Sequence, residues 1–272
     1  MPGGVPTAMY RERIDALSTV SGDGPPVLCL HGTLMDRTMF DPQRRALSDD
    51  YCVAAYDLRA RTEHGVDPYD LDDLAADCLA AIDALAMERP VLVGMSMGGF
   101  VALRTALAAP DRVGGLVLLD STALPHSPRQ QEQYAALVEP LAGQSTVPSP
   151  MADGIAESLF GETTRTERPA LVDDWIARWK TYRGTAVYNE VHSWLDRPGT
   201  VDRLPAIDCP ALVVHGTEDA AIPPELGRQT ADALPLAQFE AVEGAGHTVN
   251  LERPAAVNDH IRRFLDGVVD TH

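Results

Sequence analysis

The chain has 272 residues and a formal charge of -18 at pH 7. That acidic surplus repels phosphate backbones and anionic bilayer surfaces, which argues against nucleic-acid and membrane-surface binding. Hydrophobic residues at 45% and charged ones at 23% are the proportions of a globular domain with a sizeable core, and no apolar run is long enough to span a bilayer.

Residues 9–20 alternate weakly and predict one or two edge strands, closed by the turn Ser21-Gly22-Asp23-Gly24-Pro25-Pro26. Residues 27–30 form the first fully apolar strand, which runs into His31-Gly32-Thr33-Leu34-Met35. A short helix over 40–47, a strand over 52–56 and the loop Asp57-Leu58-Arg59 follow. Residues 70–87 place Leu71, Leu74, Cys78, Ile82 and Leu85 on one helical face, with Asp70 as N-cap. Residues 91–93 and 113–119 are apolar strands on either side of a helix rich in small residues. Strands alternating with helices argue for parallel pairing with right-handed crossovers.

Periodicity changes after Asp120. Residues 121–205 contain no clear strand, are rich in proline, and hold Trp175, Trp179 and Trp194, which predicts a helical cap over the sheet. Trp175, Trp179 and Tyr182 share a helical face that either fastens this cap or lines a substrate pocket. The sheet resumes over 211–214. A helix over 224–234, a strand over 239–242, the loop Glu243-Gly244-Ala245-Gly246-His247 and a helix over 254–265 complete the pattern. The expected organisation is thus a core of residues 1–120 and 206–272 interrupted by a cap of residues 121–205.

The stretch Pro90 to Leu103 organises the rest. Its strand ends in Gly94-Met95-Ser96-Met97-Gly98, a G-x-S-x-G turn into a helix. In a turn this tight the serine is strained and exposed, and side chains at Gly94 or Gly98 would strike the neighbouring strand or helix. The helix start aims free amides and its positive dipole end at the same spot.

A serine hydroxyl attacks only when a base takes its proton, and that base is usually a histidine oriented by an acid. His247, in a glycine-flanked loop before the last helix, is the leading base. Asp219, after a buried strand, is the leading acid, with Asp120 as its rival and Glu218 as a solvated neighbour. Backbone amides of Met97 and Thr33 would form an oxyanion hole, Leu34 being the alternative to Thr33. Cys29, Cys52, Cys78 and Cys209 lack C-x-x-C spacing and read as reduced structural thiols.

LHGT around Gly32, YDLR at Asp57, GMSMGG at Ser96, HGTED at Asp219 and GAGH at His247 resemble the α/β-hydrolase fold superfamily along nearly the whole chain. Within it, the pattern is most similar to 3-oxoadipate enol-lactonases and neighbouring esterases. The resemblance implies a mostly parallel, doubly wound sheet with a helical cap, a Ser96–Asp219–His247 triad, and Thr33 with Met97 as the oxyanion hole. It departs at Arg59-Ala60-Arg61-Thr62-Glu63-His64-Gly65, where similar proteins carry a glycine-rich segment. Arg59 and Arg61 there are either structurally paired or available to a substrate carboxylate.

The expectation is a cofactor-independent, metal-free hydrolase of a small carboxylic ester or lactone. Leu34, Trp175 and Trp179 are candidate substrate contacts. The same residues would also serve carbon–carbon bond hydrolysis, acyl transfer, peracid formation or a slow-turnover receptor. The N-terminal segment MPGGVPTAMYRER lacks a basic stretch followed by an apolar core, so a cytoplasmic location is expected, and the reading leaves room for a homodimer.

Overall fold

In the computed structural model, which describes residues 14–269, seven strands form one sheet: β1 (Ser18–Ser21), β2 (Pro26–Leu30), β3 (Cys52–Tyr56), β4 (Val91–Met95), β5 (Gly115–Leu119), β6 (Ala211–Gly216) and β7 (Ala237–Val242). Their order is β1-β3-β2-β4-β5-β6-β7. β1 pairs antiparallel with β3, and every other neighbour pair is parallel. Of the alternating segment at 9–20, Ile14–Leu17 is a helical turn and Ser18–Ser21 the edge strand, while residues 9–13 lie outside the described residues.

Strands buried on both faces need apolar residues at consecutive positions, and here the two sets divide by side-chain parity. Leu28, Leu30, Leu92, Leu116, Leu118 and Val213 pack on one face. They meet helices α2 (Leu71–Ala84), α3 (Met97–Ala108) and α9 (Pro224–Ala233) through Leu74, Ile82, Val101 and Ala231. Val27, Cys29, Val93, Val117, Leu119 and Val214 point the other way. They meet α1 (Asp41–Leu47) and α10 (Pro254–Val269) through Leu47, Val257, Ile261 and Leu265. Asp70 caps α2 in a reciprocal box with Asp73, as its spacing predicts. The four cysteines are free, three of them buried.

Between β5 and β6 the described chain is helical: α4 (Pro128–Val138), α5 (Ser149–Leu159), α6 (Glu162–Glu167), α7 (Pro169–Trp179) and α8 (Gly184–His192), with short 3-10 turns between some of them. Trp175, Trp179, Ile155 and Phe160 from this insertion join Leu34, Met35 and Phe40 in one buried cluster.

The chain runs from β2 to β3 on one side, then returns to lay β4 on the other side of β2. The loops leaving β2 and β4 therefore diverge and open a crevice at the carboxyl ends of the strands, where ligands bind in open α/β sheets. Gly32 and Ser96 stand at its two walls.

Candidate active site

Ser96 closes β4 with φ 50 and ψ -114, a conformation that L residues rarely adopt and that surrounding structure must impose. The glycines explain how. A Cβ on Gly94 would lie 2.3 Å from the Gly98 carbonyl oxygen, and one on Gly98 would lie 2.0 Å from the Leu30 carbonyl oxygen. Helix α3 can start against β2 only without those atoms. The Ser96 carbonyl accepts from Gly99 N (2.9 Å), Phe100 N (3.2 Å) and the Ser121 hydroxyl (2.8 Å), which fixes the turn.

The structure brings Ser96, His247 and Asp219 together. His247 Nε2 lies 2.9 Å from Ser96 Oγ, and its Nδ1 lies 2.8 Å from Asp219 Oδ2. A carboxylate only accepts, so Nδ1 carries the proton and donates, leaving the Nε2 lone pair for the serine hydroxyl. Asp219 Oδ1 accepts from the amides of Ala221 and Ile222, both at 2.9 Å, which fixes the carboxylate and leaves Oδ2 for the ring.

Burial, the largest influence on Asp219, pushes its carboxyl upward, but His247 and His215 beside it hold the pKa below the ordinary carboxylate value. Burial likewise pulls His247 down, yet the charge and hydrogen bond of Asp219 outweigh it and leave the imidazole above its ordinary 6.5.

Asp120, the rival acid, is buried between the two loops that carry the acid and the base. Its Oδ1 accepts from Gly216 N and its Oδ2 from Val249 N, each at 2.8 Å. Both oxygens are engaged by backbone, so Asp120 spaces the loops. Burial holds its pKa well above the usual carboxylate range. Glu218 accepts from the Thr163 amide at 2.9 Å and from its hydroxyl, tying α6 of the insertion to the core.

Thr33 and Met97, the two expected oxyanion donors, come together: Thr33 Oγ1 lies 3.7 Å from Met97 Sδ, and the amides of the two residues have no acceptor among the described residues. Leu34 N donates to Glu190 Oε2 at 3.1 Å, so it is turned away. Gly32 lets the β2 loop lie close against the end of β4, since a Cβ there would sit 2.4 Å from Met95 Sδ and 3.3 Å from Ser96 Cβ. Behind the loop, His31 Nε2 accepts from Leu58 N at 2.9 Å, so its proton is on Nδ1, facing the Gly32 carbonyl oxygen at 2.8 Å. Burial depresses its pKa, and the neutral ring joins the β2 and β3 loops.

Neither arginine of the divergent loop is left over for an anion. Arg59 is buried against Asp77, with Nε–Oδ2 at 2.5 Å and Nη2–Oδ1 at 3.0 Å. Arg61 pairs with the buried Glu190 and stacks on the Tyr182 ring, 4.1 Å from its centroid. Trp179 is also buried, its indole N–H donating to the Leu34 carbonyl at 2.8 Å. Trp175 packs in the same cluster with the Arg178 guanidinium 4.8 Å above its ring. Helix α7 ends at Trp179, and Tyr182 stands in the turn beyond it, donating to Asp36 Oδ2 at 2.7 Å.

Three contributors escape a reading of the sequence. Glu252 gathers the amides of Gly161, Gly246 and Thr248 and the Thr248 hydroxyl within 3.0 Å, setting the His247 loop. His215 Nε2 faces two acceptors, Asp219 Oδ2 at 3.1 Å and the Ile222 carbonyl at 2.8 Å, so that nitrogen carries the proton, shared between the carbonyl and the same carboxylate oxygen that His247 meets. Glu190 holds Leu34. The only sequence signal among them is the four-residue spacing of Thr248 and Glu252. Asp120, His215 and Asp219 bring polar atoms within 4.8 Å of one another; Asp120 accepts a backbone amide on each oxygen, and Asp219 accepts two amides on Oδ1 and two imidazoles on Oδ2. A groove of about 320 Å³ between β7 and α10, lined by Leu212, Leu236 and Phe264, opens toward the opposite end of the sheet. No described helix is long and apolar enough to cross a membrane.

Residues 27–260 match the model of the alpha/beta hydrolase family. Among solved structures, a thermophilic esterase from Thermogutta terrifontis, solved with malate bound, superposes with a TM-score of 0.86 at 33% identity, covering 92% of this chain and 93% of its own. The enol-lactonase of Burkholderia xenovorans LB400 shares the fold with a TM-score of 0.83 at 24% identity, covering 93% and 98%. A non-heme chloroperoxidase of Streptomyces lividans is 28% identical over 260 residues, covering 89% of this chain and 92% of the relative. The matched segment spans every strand from β2 to β7, and this chain belongs to the alpha/beta hydrolase family.

Proposed function

We propose that this chain hydrolyses a carboxylic ester or lactone through an acyl-enzyme on Ser96. The observation that carries the reading is the hydrogen-bonded relay Ser96–His247–Asp219, at 2.9 and 2.8 Å, beside two unengaged amides.

In this mechanism Ser96 Oγ attacks the carbonyl carbon while His247 Nε2 takes the hydroxyl proton. Asp219 keeps the ring in the tautomer that can accept it and stabilises the imidazolium that forms. The tetrahedral oxyanion sits between the Thr33 and Met97 amides, at the positive end of α3. His247 then returns its proton to the leaving alkoxide as the carbon–oxygen bond breaks. In a lactone that alcohol stays tethered to the acyl group. Water, deprotonated by the same nitrogen, attacks the acyl-serine and releases the acid. Residues 121–205 act as the cap, and Leu34 and Trp175 bound the acyl side.

The S. lividans relative favours a second reading, in which hydrogen peroxide in place of water attacks the acyl-serine and releases a peracid. The relay is unchanged and only the acceptor differs. A panel of p-nitrophenyl esters and lactones of graded size, assayed with and without peroxide, separates the two. Turnover of esters or lactones that vanishes in Ser96→Ala supports hydrolysis, and undiminished turnover by the purified variant defeats it.

A further inference from the structure

The oxyanion loop is held by residues far away in the sequence. Leu34 has φ 64 without being glycine, so its conformation is imposed by its partners. Both of its backbone groups are bonded to the helical insertion. The amide donates to Glu190 Oε2 at 3.1 Å, from α8, and the carbonyl accepts the Trp179 indole N–H at 2.8 Å, from the end of α7. Two residues on, Asp36 accepts the Tyr182 hydroxyl at 2.7 Å. Three points of the three-residue stretch Leu34–Asp36 are thus fixed by one insertion.

The chemistry of this grip is expensive for a merely structural clasp. Glu190 is fully buried, and its charge is matched by Arg61, itself buried under Tyr182. Yet Glu190 Oε1 and Arg61 Nε have no hydrogen-bond partner. A buried ion pair with orphaned atoms stabilises a fold less than apolar packing would, so what it contributes here is geometry. By drawing the Leu34 amide toward the insertion, Glu190 leaves the preceding amide, Thr33, as the donor beside Met97.

We infer that Glu190 and Trp179 are positioning residues for the oxyanion hole, so that the insertion, docked on the core, sets the Thr33 amide for the transition state. This rests on the reading of Ser96 as nucleophile.

The test uses the full chain with p-nitrophenyl acetate, counting active sites by fluorophosphonate titration so that misfolded protein drops out. Trp179→Phe keeps an aromatic ring but removes the indole N–H donor along with some buried volume, and Glu190→Gln keeps an acceptor but loses the charge. Each is expected to lower kcat per titrated site about tenfold with KM within twofold, short of the roughly 10²–10³ lost when an oxyanion donor is removed outright. The inhibition constant of an arylboronic acid, which forms a tetrahedral adduct on serine, should rise by the same factor. The acid limb of the pH profile should stay in place, because His247 and Asp219 are untouched. Unchanged kcat per site in Trp179→Phe, a loss confined to KM, or a fall in kcat without the rise in boronate inhibition constant overturns the inference. Failure of the underlying reading looks different: Ser96→Ala then turns over as fast as the parent.

Discussion

The carboxyl rim of the sheet and the helical insertion contribute to the same end of the molecule by different routes. At the rim, Ser96, Asp120, Asp219 and His247 stand at or just beyond the ends of β4, β5, β6 and β7, so each is delivered by the strand behind it. In the insertion, Trp179 and Glu190 reach the loop after β2 across 145 and 156 residues of chain, and nothing in their immediate surroundings foretells it. Of the rim residues, Ser96, His247 and Asp219 turn their polar ends to one another, while both oxygens of Asp120 are held by backbone amides. Insertion residues have their polar ends engaged in fixing something else. If that division is right, substitutions at Ser96, His247 and Asp219 abolish turnover with the fold intact, and tie substitutions change the fold or the geometry of the site.

The largest expected effect is at the nucleophile and base: Ser96→Ala and His247→Ala should each lower kcat by on the order of 10⁴-fold or more with little change in Tm. Asp219→Asn comes next, with a loss of roughly 10³–10⁴-fold, because an amide in that place favours the wrong His247 tautomer. Asp120→Asn probes the boundary of the comparison. It sits at the rim but does a structural job, so it should cost about 1–3 kcal/mol in denaturant unfolding, through one unsatisfied amide at Gly216 or Val249, and under about tenfold in kcat. A larger kinetic loss than in Asp219→Asn would reverse the assignment of the acid.

Arg59→Ala sharpens the other side. It strands Asp77 in the core and should destabilise the chain by about 3–5 kcal/mol in chemical denaturation while kcat per active site changes little.

The smallest effect concerns pH. Since Asp219 outweighs burial and holds His247 above 6.5, kcat/KM should fall on acidification with an apparent pKa above 6.5, higher than an unperturbed imidazole would give. A group whose pKa is raised on folding adds stability below its unfolded value, and that contribution disappears as pH rises through the folded value. The Tm difference between the parent and His247→Gln should therefore shrink over the same range in which activity grows. An acid limb below 6.5 would show that burial dominates.

Much of the rim was legible in the sequence because its signals are local. The unbroken apolar run of β4, the glycines around Ser96 and the small residues of α3 lie next to one another, and their steric reason is visible in the 2.0 Å approach that a Gly98 Cβ would make to Leu30. Asp219 and His247 follow from strand ends in the same way. What sequence could not do was separate Thr33 from Leu34, since adjacent amides differ only in where each points, and the Leu34 amide finds its acceptor in the distant Glu190. The paired state of Arg59 and Arg61 was one of two open readings for the same reason: their partners, Asp77 and Glu190, are 18 and 129 residues distant. At the amino end, alternation over 9–20 suggested strand where Ile14–Leu17 makes a helical turn. Four residues carry too little pattern to tell one period from the other.

The central claim is that Ser96 is the atom donor of a covalent acyl-enzyme. Stoichiometric reaction with a fluorophosphonate, followed by peptide mass analysis and residual ester hydrolysis, tests it most directly. The account predicts one adduct per chain, on Ser96, with activity lost in proportion to labelling and no adduct in His247→Ala on the same time scale. Full hydrolysis by chains carrying the adduct, or inactivating modification at a different residue with Ser96 untouched, would contradict it.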